Sequence, residues 1–208
     1  MAYKTRAAYT KRMEVAVIKY NAGNVYSVVN ALRRLGVEPV VTDEEARIKS
    51  ADKVIFPGQG EAASAMEYLR GHKLDKVIKS LRQPVLGICI GQQLLCKHSE
   101  EGDTDCLGIF DVNVVKFRPS RHEYKVPVMG WNSLYDFKSP LFKELHEGDY
   151  VYFVHSYYVP VCSFTAAKSD YIHPYSAAMQ KDNFYATQFH PEKSGSVGEK
   201  IMRNFLEI

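Results

Sequence analysis

The sequence predicts a three-layer α/β fold with a mostly parallel central sheet and a strand-rich second half. Short apolar, β-prone runs alternate with segments of helical period up to about residue 96, which calls for a parallel sheet covered on both faces. Glycine-bearing turns follow two of these runs, at Pro57-Gly58-Gln59-Gly60 and at Cys89. Beyond Cys106 the texture changes to aromatic and β-branched runs separated by polar turns.

The elements follow in order. Glu14–Ile18 is a first strand, and Asn24 caps a helix whose apolar positions are Val25, Val28, Val29, Leu32 and Leu35, stopped by Gly36. Strands are expected at Glu38–Val41 and Lys53–Phe56. An Ala-, Met- and Leu-rich stretch over 61–70 and the i, i+3, i+4, i+7 set Leu74, Val77, Ile78 and Leu81 predict one or two helices before a fourth strand at Pro84–Ile88. The second half offers strands at Asp111–Phe117, Val126–Met129, Tyr150–Val154 and Phe184–Gln188. Ser196 with Glu199 three residues later reads as a capping box opening a last helix that carries Val197, Ile201 and Phe205.

Composition narrows the function classes. The formal charge of +3 comes from the first twelve residues, which hold Lys4, Arg6, Lys11 and Arg12 and no acid; from Met13 onward 23 basic residues face 24 acidic ones. Residues 1–12 therefore read as a basic, non-catalytic tail or leader and 13–208 as one domain. No body segment joins a basic cluster to interleaved aromatics, which argues against nucleic-acid binding. No window has the apolar length of a membrane span, and the amino end lacks a secretory signal core, so a cytosolic protein is expected. Four cysteines without a Cys-x-x-Cys pair argue against a disulfide framework or a zinc site, and no metal is expected.

The chemistry is concentrated in Gly87-Ile88-Cys89-Ile90-Gly91-Gln92-Gln93, between an apolar strand and the helix carrying Leu94 and Leu95. This is the thiol counterpart of a nucleophile elbow: glycines at 87 and 91 permit the tight turn, and the helix start favours a thiolate. A cysteine nucleophile needs a base and a group to orient it. His190 and Glu192, two residues apart at the end of a predicted strand, offer both. The turn after the third strand lies on the same sheet edge, so the amides of Gln59 and Ile90 are candidates for an oxyanion hole. Cys96, Cys106 and Cys162 lack such a setting and read as structural, His155 as a core residue, and His72, His98, His122, His146 and His173 as solvated.

Together these motifs resemble those of the class I glutamine amidotransferases, over Glu14–Ile208, with Cys89, His190 and Glu192 matching the family's triad. Within that class the chain most resembles the glutaminase subunits of imidazole glycerol phosphate synthase, through Tyr20-Asn21-Ala22-Gly23-Asn24, Gly130-Trp131-Asn132, Phe153–Tyr158 and Lys193-Ser194. The resemblance implies that glutamine is hydrolysed to glutamate and ammonia through a cysteine thioester. It implies binding at Gly58, Gly60, Gln93, Ser156 and Tyr157, and Trp131 and Lys193 facing a partner. That partner would be a cyclase subunit of a heterodimer that receives the ammonia in histidine biosynthesis; no cofactor is implied. Lys19, Asn21 and Gln59 depart from the commonest family pattern and leave the triad untouched. Alternatives are a glutaminase subunit of another synthase, a γ-glutamyl peptide hydrolase without a partner, and an inactive scaffolding relative; the intact Cys89, His190 and Glu192 argue against the last.

Overall fold

The computed structural model of the chain describes residues 13–21, 25–120 and 123–208; the expected tail over 1–12, the Asn24 cap and His122 lie outside them. The first half runs β1 (Val15–Ile18), α1 (Val25–Arg34), β2 (Val40–Thr42), α2 (Glu45–Ser50), β3 (Lys53–Phe56), α3 (Ala62–Gly71), α4 (Leu74–Lys79), β4 (Val85–Ile88) and α5 (Ile90–Leu95). Then come β5 (Cys96–Ser99), β6 (Thr104–Asp105), β7 (Phe110–Lys116), β8 (Val128–Ser133), β9 (Tyr150–His155) and β10 (Tyr157–Tyr158). The chain closes with β11 (Thr165–Tyr171), β12 (His173–Lys181), β13 (Phe184–Thr187) and α6 (Gly195–Glu207).

The central sheet has the strand order β11-β12-β13-β4-β3-β1-β2. Every pairing from β13 to β2 is parallel, and the β11-β12-β13 edge is antiparallel. Side chains alternate between its faces as the pleat requires. Ala16, Ile18, Val54, Phe56, Val85 and Ala186 pack with Ile48 of α2, Met66 and Leu69 of α3, Ile78 of α4 and Leu94 of α5. Val15, Val17, Ile55, Leu86 and Ile88 pack on the other face with Val28 and Leu32 of α1 and with Ile201, Met202 and Phe205 of α6. Each fully buried aliphatic side chain here contributes roughly 1.5–3 kcal/mol. No helix among the described residues is long and apolar enough to cross a membrane.

Several boundaries moved for physical reasons. The second strand begins at Val40 and not at Glu38, because Pro39 has no N–H for the ladder and the strand is an edge. Pro127 likewise delays the strand expected at Val126, which starts at Val128. The capping box at Ser196 and Glu199 does not form. The helix already begins at Gly195, and its N-cap residue Ser194 makes no side-chain cap bond. Ser194 Oγ instead donates to the His190 carbonyl at 2.6 Å and accepts from the Tyr152 amide at 3.0 Å. Gly36, at φ +79°, does end α1: its N–H bonds the Arg33 carbonyl and that of Val37 bonds Leu32.

Candidate active site

The carboxyl ends of β1, β3, β4 and β13 lie along one sheet edge, because these strands are mutually parallel. Cys89 is the first residue past β4 and has φ 54° and ψ −107°, a conformation that L side chains rarely adopt and that costs of order 1–3 kcal/mol. The surroundings fix it. The Cys89 amide donates to the Thr187 carbonyl of β13 at 2.7 Å, while its own carbonyl accepts from Gln92 at 3.0 Å as α5 begins. A Cβ on Gly91 would strike the backbone carbonyl oxygen of Phe56, and one on Gly87 would lie 2.8 Å from Leu95 Cδ1 and 3.0 Å from the Gly91 backbone. The glycines thus let α5 seat against β3 and β4.

Past β13 the chain turns so that the His190 amide donates to the Tyr152 carbonyl at 2.9 Å. A short 3-10 turn over Pro191–Lys193 folds Glu192 back, and His190 Nδ1 lies 2.8 Å from Glu192 Oε1. Both side chains are almost fully buried, at 1% and 2% exposure. His190 Nε2 has no hydrogen-bond partner among the described residues. Burial by itself lowers the imidazole pKa, but attraction to Cys89 and then to Glu192 outweighs it and raises the value to about 10.

A cavity of about 350 Å³ opens at Cys89. The expected oxyanion residues Gln59 and Ile90 line it, as do Gly60, Gln93, Ser156 and Tyr157. Gly58 does not. It is wedged behind the turn, where a Cβ would collide with Ile90 Cγ2 and Tyr20 Oη. The buried Tyr20 hydroxyl donates to the Pro57 carbonyl at 2.5 Å and so fixes the base of that turn.

Three further groups at the site escaped the sequence reading. Glu101, in the β5–β6 turn, lines the cavity and accepts from the Ala62 amide at 2.9 Å; burial raises its pKa against that hydrogen bond. The fully buried Gln188 places Nε2 3.8 Å from Cys89 Sγ. His155 is buried, as expected of a core residue, yet it also borders the cavity. Its Nδ1 bonds the Tyr157 carbonyl at 2.8 Å, and burial, helped by nearby His190, lowers its pKa to about 4, so it is neutral. A polar loop, a strand terminus and an aromatic strand carry no local pattern that would have separated these three from structural residues.

The remaining candidates are not among the residues that line the cavity. Trp131 stands on the β8–β9 hairpin, 56% exposed beside Met129, with its ring 6.0 Å from that of Tyr152. Lys193 is half-buried in the turn that carries Glu192. Cys96 and Cys106 are buried, which pushes both thiols up, Cys106 to about 12; Cys162 is half-buried. His173, expected in solvent, instead packs 4.8 Å from the Tyr158 ring.

Comparison with known proteins gives the family and the fold. The family model described as glutamine amidotransferase class-I matches residues 16–208. The imidazole glycerol phosphate synthase subunit HisH of Bacteroides thetaiotaomicron is 63% identical over 196 residues, covering 94% of this chain and all of that protein. The protein of the same name from Escherichia coli K12 is 44% identical over 198 residues, again covering 94% of this chain and all of its own. Among solved structures, PurLQS from Thermotoga maritima superposes with a TM-score of 0.69 at 15% identity, covering 94% of this chain and 98% of that one. A glutamine amidotransferase superposes at 0.68 and 20% identity, covering 93% and 97%. These two show the fold alone. With the family model spanning nearly the whole chain and full-length relatives at 63% and 44% identity, the chain belongs to the class I glutamine amidotransferases, in the branch of the imidazole glycerol phosphate synthase subunit HisH.

Proposed function

We propose that this chain is the glutaminase subunit of an imidazole glycerol phosphate synthase and that Cys89, His190 and Glu192 carry its chemistry. The observation that carries the site assignment is the strained Cys89 lining the cavity, with the buried His190–Glu192 pair close enough for His190 to interact with it. Cys89 Sγ attacks the side-chain carbonyl carbon of glutamine, and the oxygen becomes an oxyanion between the amides of Gln59 and Ile90. The raised His190 pKa leaves a proton on the imidazole at neutral pH, ready for the departing nitrogen. The carbon–nitrogen bond breaks, ammonia leaves, and a glutamyl thioester remains. Water, deprotonated by His190, then attacks the thioester, glutamate departs and the thiol is restored. Glu192 holds the imidazole in orientation and balances its charge throughout.

The cavity suits the rest of the substrate. Glu101 at its wall matches the α-ammonium group, and Gln93, Gly60, Ser156 and Tyr157 surround the backbone end of glutamine. The partner is a cyclase subunit in a heterodimer. Its docking face is the exposed β8–β9 hairpin with Met129 and Trp131, beside Lys193, and Pro127 lines both the glutamine cavity and the groove at that hairpin. The reaction belongs to histidine biosynthesis in the cytoplasm and is carried by one domain over 13–208. Glutamate release that depends on Cys89 and rises when the substrate-loaded cyclase is added tests the reading; release unaffected by Cys89→Ala would contradict it.

A further inference from the structure

Gln188 follows β13 directly, and its amide continues the pairing to β12 by donating to the Ala177 carbonyl at 2.8 Å. Its side chain is therefore held at the sheet edge, with the residue wholly buried. A buried primary amide must find partners for both its donor and its acceptor end. Here Gln188 Oε1 accepts from Gln93 Nε2 at 3.0 Å, and Gln188 Nε2 lies 3.8 Å from Cys89 Sγ. The second proton of Gln93 Nε2 goes to the Tyr157 carbonyl at 3.0 Å.

This chain of contacts has one polarity. It starts at a backbone carbonyl, which can only accept, and it ends on Cys89 Sγ, which receives the Gln188 N–H. Reversing the Gln93 amide would set its oxygen against the Tyr157 carbonyl. Reversing Gln188 would set its NH2 against Gln93 Nε2, donor against donor. Both protons of Gln93 Nε2 are thus committed within the protein, and no described residue donates to Gln93 Oε1, although Gln93 lines the cavity. What Gln93 offers a ligand is an acceptor.

We propose that Gln188 is a positioning residue that locks the Gln93 side-chain amide with its oxygen toward the cavity, selecting a substrate that presents an N–H donor there. Glutamine carries such donors on its α-ammonium group and on its side-chain amide. The inference rests on the reading that glutamine occupies the Cys89 cavity. It places substrate selection on a residue 99 positions from the nucleophile in sequence yet in contact with its sulfur.

The test uses steady-state glutamine hydrolysis by the complex with the substrate-loaded cyclase. Gln188→Met keeps the length of the side chain but removes both polar ends; it is expected to raise KM for glutamine on the order of tenfold, since one Gln93 donor is left without a partner. Gln188→Glu keeps the acceptor for Gln93 and loses the donor toward Cys89, so KM should stay within about threefold of wild type while kcat falls. Because Gln188 acts on KM through Gln93, the double variant Gln93→Met/Gln188→Met should have a KM no higher than Gln93→Met alone. An unchanged KM in Gln188→Met, a KM in Gln188→Glu as high as in Gln188→Met, or additive effects in the double variant would overturn the proposal. If Gln188→Met does not fold, Gln188→Glu decides against the KM of Gln93→Met: near wild type supports the proposal, equal to Gln93→Met refutes it. Absence of Cys89-dependent hydrolysis in the unaltered complex would instead sink the glutaminase reading itself.

Discussion

Replacing Gly91 with alanine tests whether the elbow geometry follows from the packing of α5 on β3. The added methyl would point at the Phe56 carbonyl oxygen, with Phe56 C at 3.3 Å and Cδ1 at 3.6 Å. That oxygen is backbone in a strand buried on both sides, so no side chain can rotate away. Restoring ordinary contact distance requires α5 and β3 to separate on the order of 1 Å, and overpacking of this kind typically costs 1–3 kcal/mol. Alanine gives back roughly 0.5–1 kcal/mol of backbone entropy in a helix, so the net loss should be roughly 0–2.5 kcal/mol. The same displacement moves Cys89, at the head of α5, relative to the Gln59 turn after β3, and a misplacement of that size costs on the order of 10²-fold in rate. Urea denaturation and steady-state glutaminase kinetics read the two effects separately. A Gly91→Ala protein with wild-type stability and wild-type kcat would mean that the elbow does not depend on this approach.

Glu192→Gln should fold but lose on the order of 10³-fold or more in kcat, as expected when an orienting carboxylate is neutralised beside its histidine; kinetics within tenfold of wild type would remove Glu192 from the mechanism. The raised His190 pKa means that the folded state holds this proton more tightly than the unfolded chain. Its contribution to stability is therefore complete below pH about 6.5 and is lost as pH rises through about 10. The stability margin of wild type over His190→Asn, measured in urea, should shrink across that window, and a margin that stays flat would contradict the pairing. Limited iodoacetamide treatment followed by peptide mass spectrometry should label Cys89 ahead of Cys96 and Cys106, whose burial keeps them protonated; earlier labelling of either would contradict the site assignment.

Much of this molecule was legible in the sequence where local chemistry and fold agree. The strand at Lys53–Phe56, the elbow at Cys89 and the Gly36 helix stop each have a residue pattern that admits few conformations. The β11–β12 hairpin was not legible. Its sequence is rich in Ala and Ser and contains Pro174, and what makes it a strand pair is packing of Ala167, Ala177 and Ala178 into the core, not intrinsic propensity. Helix α2 buries only Ile48, too little for a periodic signal. At the site, Cys89, His190 and Glu192 could be singled out by their spacing, and the fold places Cys89 in the strained turn after β4 and pairs His190 with Glu192. Gln188 and Glu101 could not be singled out, because their roles come from contacts with residues far along the chain, at Cys89 and Gln93 for one and Ala62 for the other. The Ser196–Glu199 pattern misled because Ser194, two residues earlier, is the N-cap residue, with its hydroxyl tied to the His190 loop.

Glutamate formed from glutamine should be measured for the chain alone, with the cyclase subunit, and with that subunit loaded with its nucleotide substrate, each beside Cys89→Ala. Strong stimulation by the loaded partner is expected, and none of it in the variant. Hydrolysis that survives in Cys89→Ala, or that the loaded cyclase leaves unchanged, would contradict the proposed function.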